Sequence, residues 1–149
     1  MKIDSIDVQI LQLLNKNARI QWKEIGEKIH MTGQAVGNRI KKMEDNGIIQ
    51  SYSIVVDELK MGFSFTAFVF FYMNTYTHDD LLKFIATRNE ISEAHRVSGD
   101  ACYLLKITVR SQEALNHHLN DLLKYGNYQL YLSIKEVKKR YNASLMSDE

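Results

Sequence analysis

At 149 residues, with 45% hydrophobic and 25% charged side chains, the chain can pack one domain or two small ones. No stretch approaches 18 consecutive apolar residues, which excludes a membrane-spanning helix, and the single cysteine, Cys102, excludes an internal disulfide or a cysteine-built metal cluster. A net charge of +1 excludes any appeal to bulk electrostatics for a nucleic-acid partner, so only a local cluster could serve, and Arg39, Lys41 and Lys42 form one.

The first residues are acidic where a secretory leader needs an apolar run, so a cytoplasmic protein is expected. A first helix is expected from Asp4, with Asp7 three residues on as an acidic variant of the capping box. Ile6, Ile10, Leu13 and Leu14 make its buried stripe, and residues 15–19 close it. A second helix follows over residues 22–29 and a third over 33–45. Thr32 stands where an N-cap belongs, and Asn46-Gly47 where a helix ends. Two short amphipathic helices joined by a tight turn are the sequence form of a helix-turn-helix, whose second helix lies in the major groove of DNA. Residues 48–49 and 52–56 then read as two short strands around Gln50 and Ser51, a small wing. Periodicity stops over residues 57–62, a connector punctuated by Gly62.

Beyond Phe63 strands alternate with helices. Residues 65–74 are rich in aromatic and β-favouring side chains. Thr77 caps a helix through Thr87 with Leu81, Leu82 and Ile85 inward, and residues 91–98 alternate as a strand. Gly99-Asp100 turns the chain into a strand over 101–110. Ser111 caps a helix carrying Leu115, Leu119 and Leu122, and residues 128–137 form the last strand. The order βαββαβ is the ferredoxin-like split unit. The fold class is therefore α+β, an N-terminal winged-type helix-turn-helix followed by a C-terminal ferredoxin-like domain. Its expected parts are the helix-turn-helix at 1–50, a strand and linker at 51–62, the ferredoxin-like domain at 63–140 and a tail at 141–149.

In that topology the first strand is central and helices cover one face of the sheet only. Phe65, Ala67, Val69, Phe71 and Met73 fall on one side of it and Phe68, Phe70 and Tyr72 on the other, so both sides are apolar. Three aromatics on an open face make an oversized apolar patch, which a second copy of the same sheet would cover. The alternative cover is the chain's own residues Tyr141 to Met146.

On the third helix Val36, Ile40 and Met43 mark the inner face. The opposite face carries Gln34, Asn38 and Lys41, with Gly37 and Lys42 slightly off it. Gln and Asn can each pair with adenine in the major groove. Gly37 would let the backbone approach DNA closely, while Arg39, Lys41 and Lys42 reach phosphates. A solvated polar face is the plain alternative. A nucleophilic pair of Cys102 and His95 lacks a carboxylate or amide placed to orient the imidazole, and His117 and His118 diverge on their helix. Neither a catalytic site nor a metal site is expected.

Residues 1–57 resemble the N-terminal half of the leucine-responsive/asparagine-regulator (Lrp/AsnC) family of transcription regulators. The carrying residues are Ile3-Asp4, Asp7, Ile10-Leu11, Asn17-Ala18-Arg19-Ile20, Glu24-Ile25, Val36, Arg39-Ile40, Met43-Glu44 and Gly47-Ile48-Ile49. In the second half, Ser98-Gly99-Asp100 with Tyr103-Leu104-Leu105 resembles the family's ligand-sensing loop. The resemblance implies a nucleoid-associated regulator that binds double-stranded DNA, forms dimers that join into octamers of four dimers, and senses a small molecule, often an amino acid. The effector loop would be Gly99, Asp100, Ala101, Cys102 and Tyr103. Three positions depart from the pattern. Gln21 replaces a Ser or Thr cap, His30-Met31-Thr32 replaces the commoner Gly-Leu-Ser turn, and Cys102 replaces an acid of the loop. The last departure points to weak amino-acid binding or a less polar ligand. The alternatives are an architectural DNA-wrapping protein without effector, and a ferredoxin-like metabolite-binding or enzymatic subunit carrying a helical interaction module.

Overall fold

The computed structural model describes residues 1–139 and 141–146, so Arg140 and the end of the expected tail, 147–149, lie outside the described residues. The chain forms two compact units, Met1–Val55 together with the described part of Lys138–Glu149, and Val56–Val137. The tail therefore belongs with the N-terminal unit rather than standing as a separate segment.

In the first unit, α1 (Ser5–Lys16), α2 (Trp22–Ile29) and α3 (Gly33–Asp45) follow the expected bounds closely. The reciprocal cap forms: the Asp4 carboxylate accepts from the Asp7 N–H at 2.9 Å, and the Asp7 carboxylate from the Asp4 N–H at 3.2 Å. Gln21 gives no side-chain cap to α2, whereas the Thr32 hydroxyl accepts from the Ala35 N–H at 3.2 Å and starts α3. His30 closes α2 in the left-handed region at φ 58°. Ile10, Ile20, Ile25, Val36, Ile40 and Met43 meet as one buried core.

The expected wing is not formed. The Ile48 and Ile49 amides donate back to the Met43 carbonyl at 2.9 and 3.3 Å, so they finish the end of α3 instead of starting a ladder. Residues 50–56 run without a strand partner, and Ile54 and Val55 are 83% and 67% exposed. Tyr52 is held by its hydroxyl donating to Glu44 at 2.8 Å; partial burial and that carboxylate push its phenol up to about 12. Within the tail a 3₁₀ turn (Ala143–Met146) lies beside α1. The Gln12 amide donates to the Leu145 carbonyl at 2.8 Å and Asn142 to Asn15 at 2.8 Å. The described part of the tail, one of the two possible covers of the sheet, is thus bound to α1 of the first unit.

The second unit holds β1 (Phe65–Met73), α4 (Asp79–Ala86), β2 (Ile91–Arg96), β3 (Tyr103–Val109), α5 (Gln112–Leu122) and β4 (Gly126–Leu132). The sheet is antiparallel in the order β2-β3-β1-β4, with β1 and β3 central as the βαββαβ order requires. Ala67, Val69 and Phe71 with Tyr103, Leu105, Ile107 and Val109 pack against Leu81, Phe84, Leu115, Leu119 and Leu122 of the helices. Three details differ from expectation. His78 rather than Thr77 precedes α4, without a side-chain cap, and Phe84 rather than Leu82 turns inward. The last strand stops at Leu132 because its neighbour β1 begins near that point, with Ala67 opposite Leu132.

Candidate nucleic-acid interface and effector loop

Val36, Gly37, Ile40 and Met43 anchor α3 inward, which leaves Gln34, Asn38, Lys41 and Lys42 exposed. These four share an arc of roughly 100° at the helical period. Amide side chains that can pair with base edges stand beside two cations that can pair with phosphates, the division of labour of a groove-reading helix. The hydroxyl of Thr32 is occupied as the cap of this helix.

Two residues expected to touch DNA are used inside the protein instead. A Cβ on Gly37 would lie 2.5 and 2.6 Å from Cε3 and Cζ3 of Trp22, so the missing side chain makes room for that ring rather than for a nucleic acid. Arg39 places Nη1 at 2.8 Å from Asp4 Oδ2 and 2.8 Å from Asp7 Oδ1, tying α3 to the start of α1. Asp7 is only 1% exposed, so this clamp offsets the cost of a buried carboxylate. The Asp7 N–H, then the Arg39 guanidinium, hold the Asp4 carboxyl below its usual range, and both acids raise Arg39 above its own. Helical periodicity places Gly37 and Arg39 at the margins of the polar face but is blind to partners on other helices. The spacing Asp4-x-x-Asp7 and the pair Gly33-x-x-x-Gly37 were the signals available.

In the second unit the expected effector loop is a tight turn. Gly99 adopts φ +110°, a conformation that a side chain would strain, and Ser98, Gly99 and Asp100 are exposed. The rest is drawn into the fold. Ala101 and Tyr103 are buried, and Cys102 is a half-buried free thiol. The Cys102 N–H donates to the Phe71 carbonyl at 2.8 Å, and its carbonyl accepts from the Val97 N–H at 3.1 Å. The Tyr103 hydroxyl lies 2.7 Å from Nδ1 of His78 at the head of α4. Asp100 is the one polar side chain of the five left facing solvent.

The face of the sheet away from α4 and α5 carries Phe68, Phe70 and Tyr72, as expected. Phe70 and Tyr131 pack edge to face at 5.8 Å, and Phe68 is 36% exposed. Toward β2, Lys106 donates to Glu93 at 3.0 Å, and that ammonium depresses the Glu93 carboxyl. Among the described residues no helix is long and apolar enough to cross a membrane, and no group of three His, Cys, Asp or Glu side chains could hold a metal ion.

A helix-turn-helix with a polar, cationic reading face, joined to a βαββαβ unit with an open apolar sheet, defines a DNA-binding regulator with a second domain for sensing or assembly. The AsnC-type helix-turn-helix domain matches residues 3–44, and the Lrp/AsnC ligand-binding domain matches residues 66–143. The chain belongs to the Lrp/AsnC family of transcription regulators. It is 91% identical over 149 residues to the HTH-type transcriptional regulator LrpB of Bacillus subtilis, covering 100% of both chains. It is 44% identical to LrpA of the same organism, over 89% of this chain and 98% of that one. The solved structure of B. subtilis LrpC superposes with a TM-score of 0.89 at 30% identity, covering 94% of this chain and 100% of that chain. These relatives are regulators, not enzymes.

Proposed function

We propose that this regulator reads double-stranded DNA in the cytoplasm, on the nucleoid, with α3 in the major groove. Gln34 and Asn38 meet base edges, and Lys41 and Lys42 meet phosphates. The observation that carries this reading is the exposed Gln34–Asn38–Lys41–Lys42 arc on a helix whose remaining cation, Arg39, is engaged with Asp4 and Asp7 within the protein. Selection of bound duplexes from a random pool, followed by titrations of variants, tests it. Asn38→Ala or Gln34→Ala should lower affinity for the selected site by about 1–3 kcal/mol and relax it at one position. Lys41→Ala should weaken every sequence and reduce the salt slope by about one. If Asn38→Ala and Gln34→Ala leave site preference and affinity unchanged, α3 is not the reading helix.

The open face of Phe68, Phe70 and Tyr72 supports a homodimer through this sheet, with four dimers assembling into an octamer as the family resemblance implies. Burial of the exposed apolar side chains of Tyr52, Ile54, Val55 and Val56, in a segment without a strand partner, is a second demand that self-association would meet.

The turn at 99–103 is the proposed effector loop, with Asp100 placed to receive an ammonium group. Calorimetry with each of the twenty amino acids should show weak binding that Asp100→Ala abolishes. Binding unaltered by Asp100→Ala would move recognition elsewhere. No binding at all would support the second reading, an architectural DNA-wrapping protein without effector. What favours that second reading is the structure of the loop, in which Cys102 is tied into the sheet and the Tyr103 hydroxyl is taken by His78.

A further inference from the structure

Trp22, the chain's single tryptophan, lies outside the arc of Gln34, Asn38, Lys41 and Lys42. It is the first residue of α2, yet it remains 54% exposed, an unusual position for the largest apolar side chain. Its ring is nevertheless fixed. Gly33 and Gly37, one turn apart on α3, leave a slot along that helix. A Cβ on Gly33 would lie 3.1 Å from the Lys23 nitrogen, and one on Gly37 would overlap the indole. The next position on the same ridge is Lys41. The indole thus stands beside the reading arc, on the flank that ends in a proposed phosphate ligand.

Cε3 and Cζ3, on the benzenoid side of the indole, are the atoms that meet Gly37. The Nε1–H has no protein partner among the described residues. A helix fills most of a major groove about 12 Å wide, so whatever stands on its flank meets the sugar-phosphate strand at the groove edge. The first helix of a helix-turn-helix crosses that backbone.

We propose that Trp22 is a DNA-contacting residue, its ring against a deoxyribose and its Nε1–H donating to a phosphate oxygen. This rests on the reading of α3 given above. Because a backbone contact carries no sequence preference, a short fluorescently labelled mixed-sequence duplex at low salt is a sufficient probe. Titration should quench the emission of Trp22, and shield it from acrylamide, in step with the rise in anisotropy of the labelled duplex. Trp22→Phe keeps a ring for the glycine slot and removes the donor. It should melt as the wild type does and bind about three- to tenfold more weakly. Its salt slope should be unchanged, because a neutral donor displaces no counterion. A rise in anisotropy with unaltered emission and acrylamide quenching, or wild-type affinity in Trp22→Phe, would overturn the contact and leave the reading of α3 standing. No rise in anisotropy would bring down the reading of α3, and the contact with it.

Discussion

Phe70→Asp is expected to sediment as a monomer where the unaltered protein sediments as a dimer or larger assembly. Phe70 lies on the central strand β1, at the middle of the open sheet face, with Leu104 and Gln129 opposite it on the two neighbouring strands. In a single chain its ring is already partly in solvent, so a carboxylate there is tolerated by the fold. In a face-to-face pair the same carboxylate would be buried twice, once from each copy. A charge left unpaired in an interface costs several kcal/mol, enough to dissociate an assembly of ordinary affinity. DNA binding should fall with it, by about a hundredfold or more, because a monomer loses the second half-site that linkage makes nearly free to engage. A wild type that sediments as a monomer at micromolar concentration would end the proposal of a sheet-to-sheet dimer.

Asp7→Ala should destabilise the DNA-binding unit. One carboxylate does two jobs there: it accepts the Asp4 N–H in the reciprocal cap of α1 and the Arg39 guanidinium from α3. Loss of a charge-assisted hydrogen bond costs about 1.5–3 kcal/mol and loss of a cap about 1 kcal/mol, so a destabilisation of roughly 2–4 kcal/mol is expected. Urea unfolding followed by Trp22 emission isolates this unit, since no other tryptophan contributes. The same measurement has an acid limb. The folded-state carboxyl of Asp4 sits below its ordinary value, so its contribution is complete above the unfolded value near ~4 and is lost as pH falls through the depressed folded value. Stability of the unit should drop on that side, and Asp4→Asn should flatten the drop. An Asp7→Ala protein with wild-type urea resistance would show that the clamp is incidental.

What was legible in the residues depended on whether the deciding partner was near in the chain. The reciprocal cap of Asp4 and Asp7 spans three positions, and the alternation of Phe68, Phe70 and Tyr72 is a period of two; both were readable and both are present. The polar arc Gln34–Asn38–Lys41 followed from helical period alone. Gly37 and Arg39 were read as facing DNA because a helix considered by itself has an inside and an outside but no neighbours. Trp22 and Asp7, on two other helices, decide what those two positions do. The wing failed for a related reason. Ile48 and Ile49 have the composition of a strand, but their amides are consumed by the Met43 carbonyl. Of the loop at 99–103, the glycine turn was legible and the burial of Tyr103 beneath His78 was not, since that contact joins residues on separate elements.

The return of residues 141–146 to α1 has a consequence for how the protein is made. The helix-turn-helix leaves the ribosome before the βαββαβ unit, with its three helices and their core complete in sequence. Its hydrogen bonds from Gln12 to Leu145 and from Asn142 to Asn15 cannot close until the entire βαββαβ unit has been translated. Domains generally fold in the order of synthesis, so the DNA-binding unit passes through a long interval in which that flank of α1 is bare. A nascent regulator would thus hold its DNA-binding helices before it holds their final buttress, and completion of the reading unit would be timed by completion of the sheet.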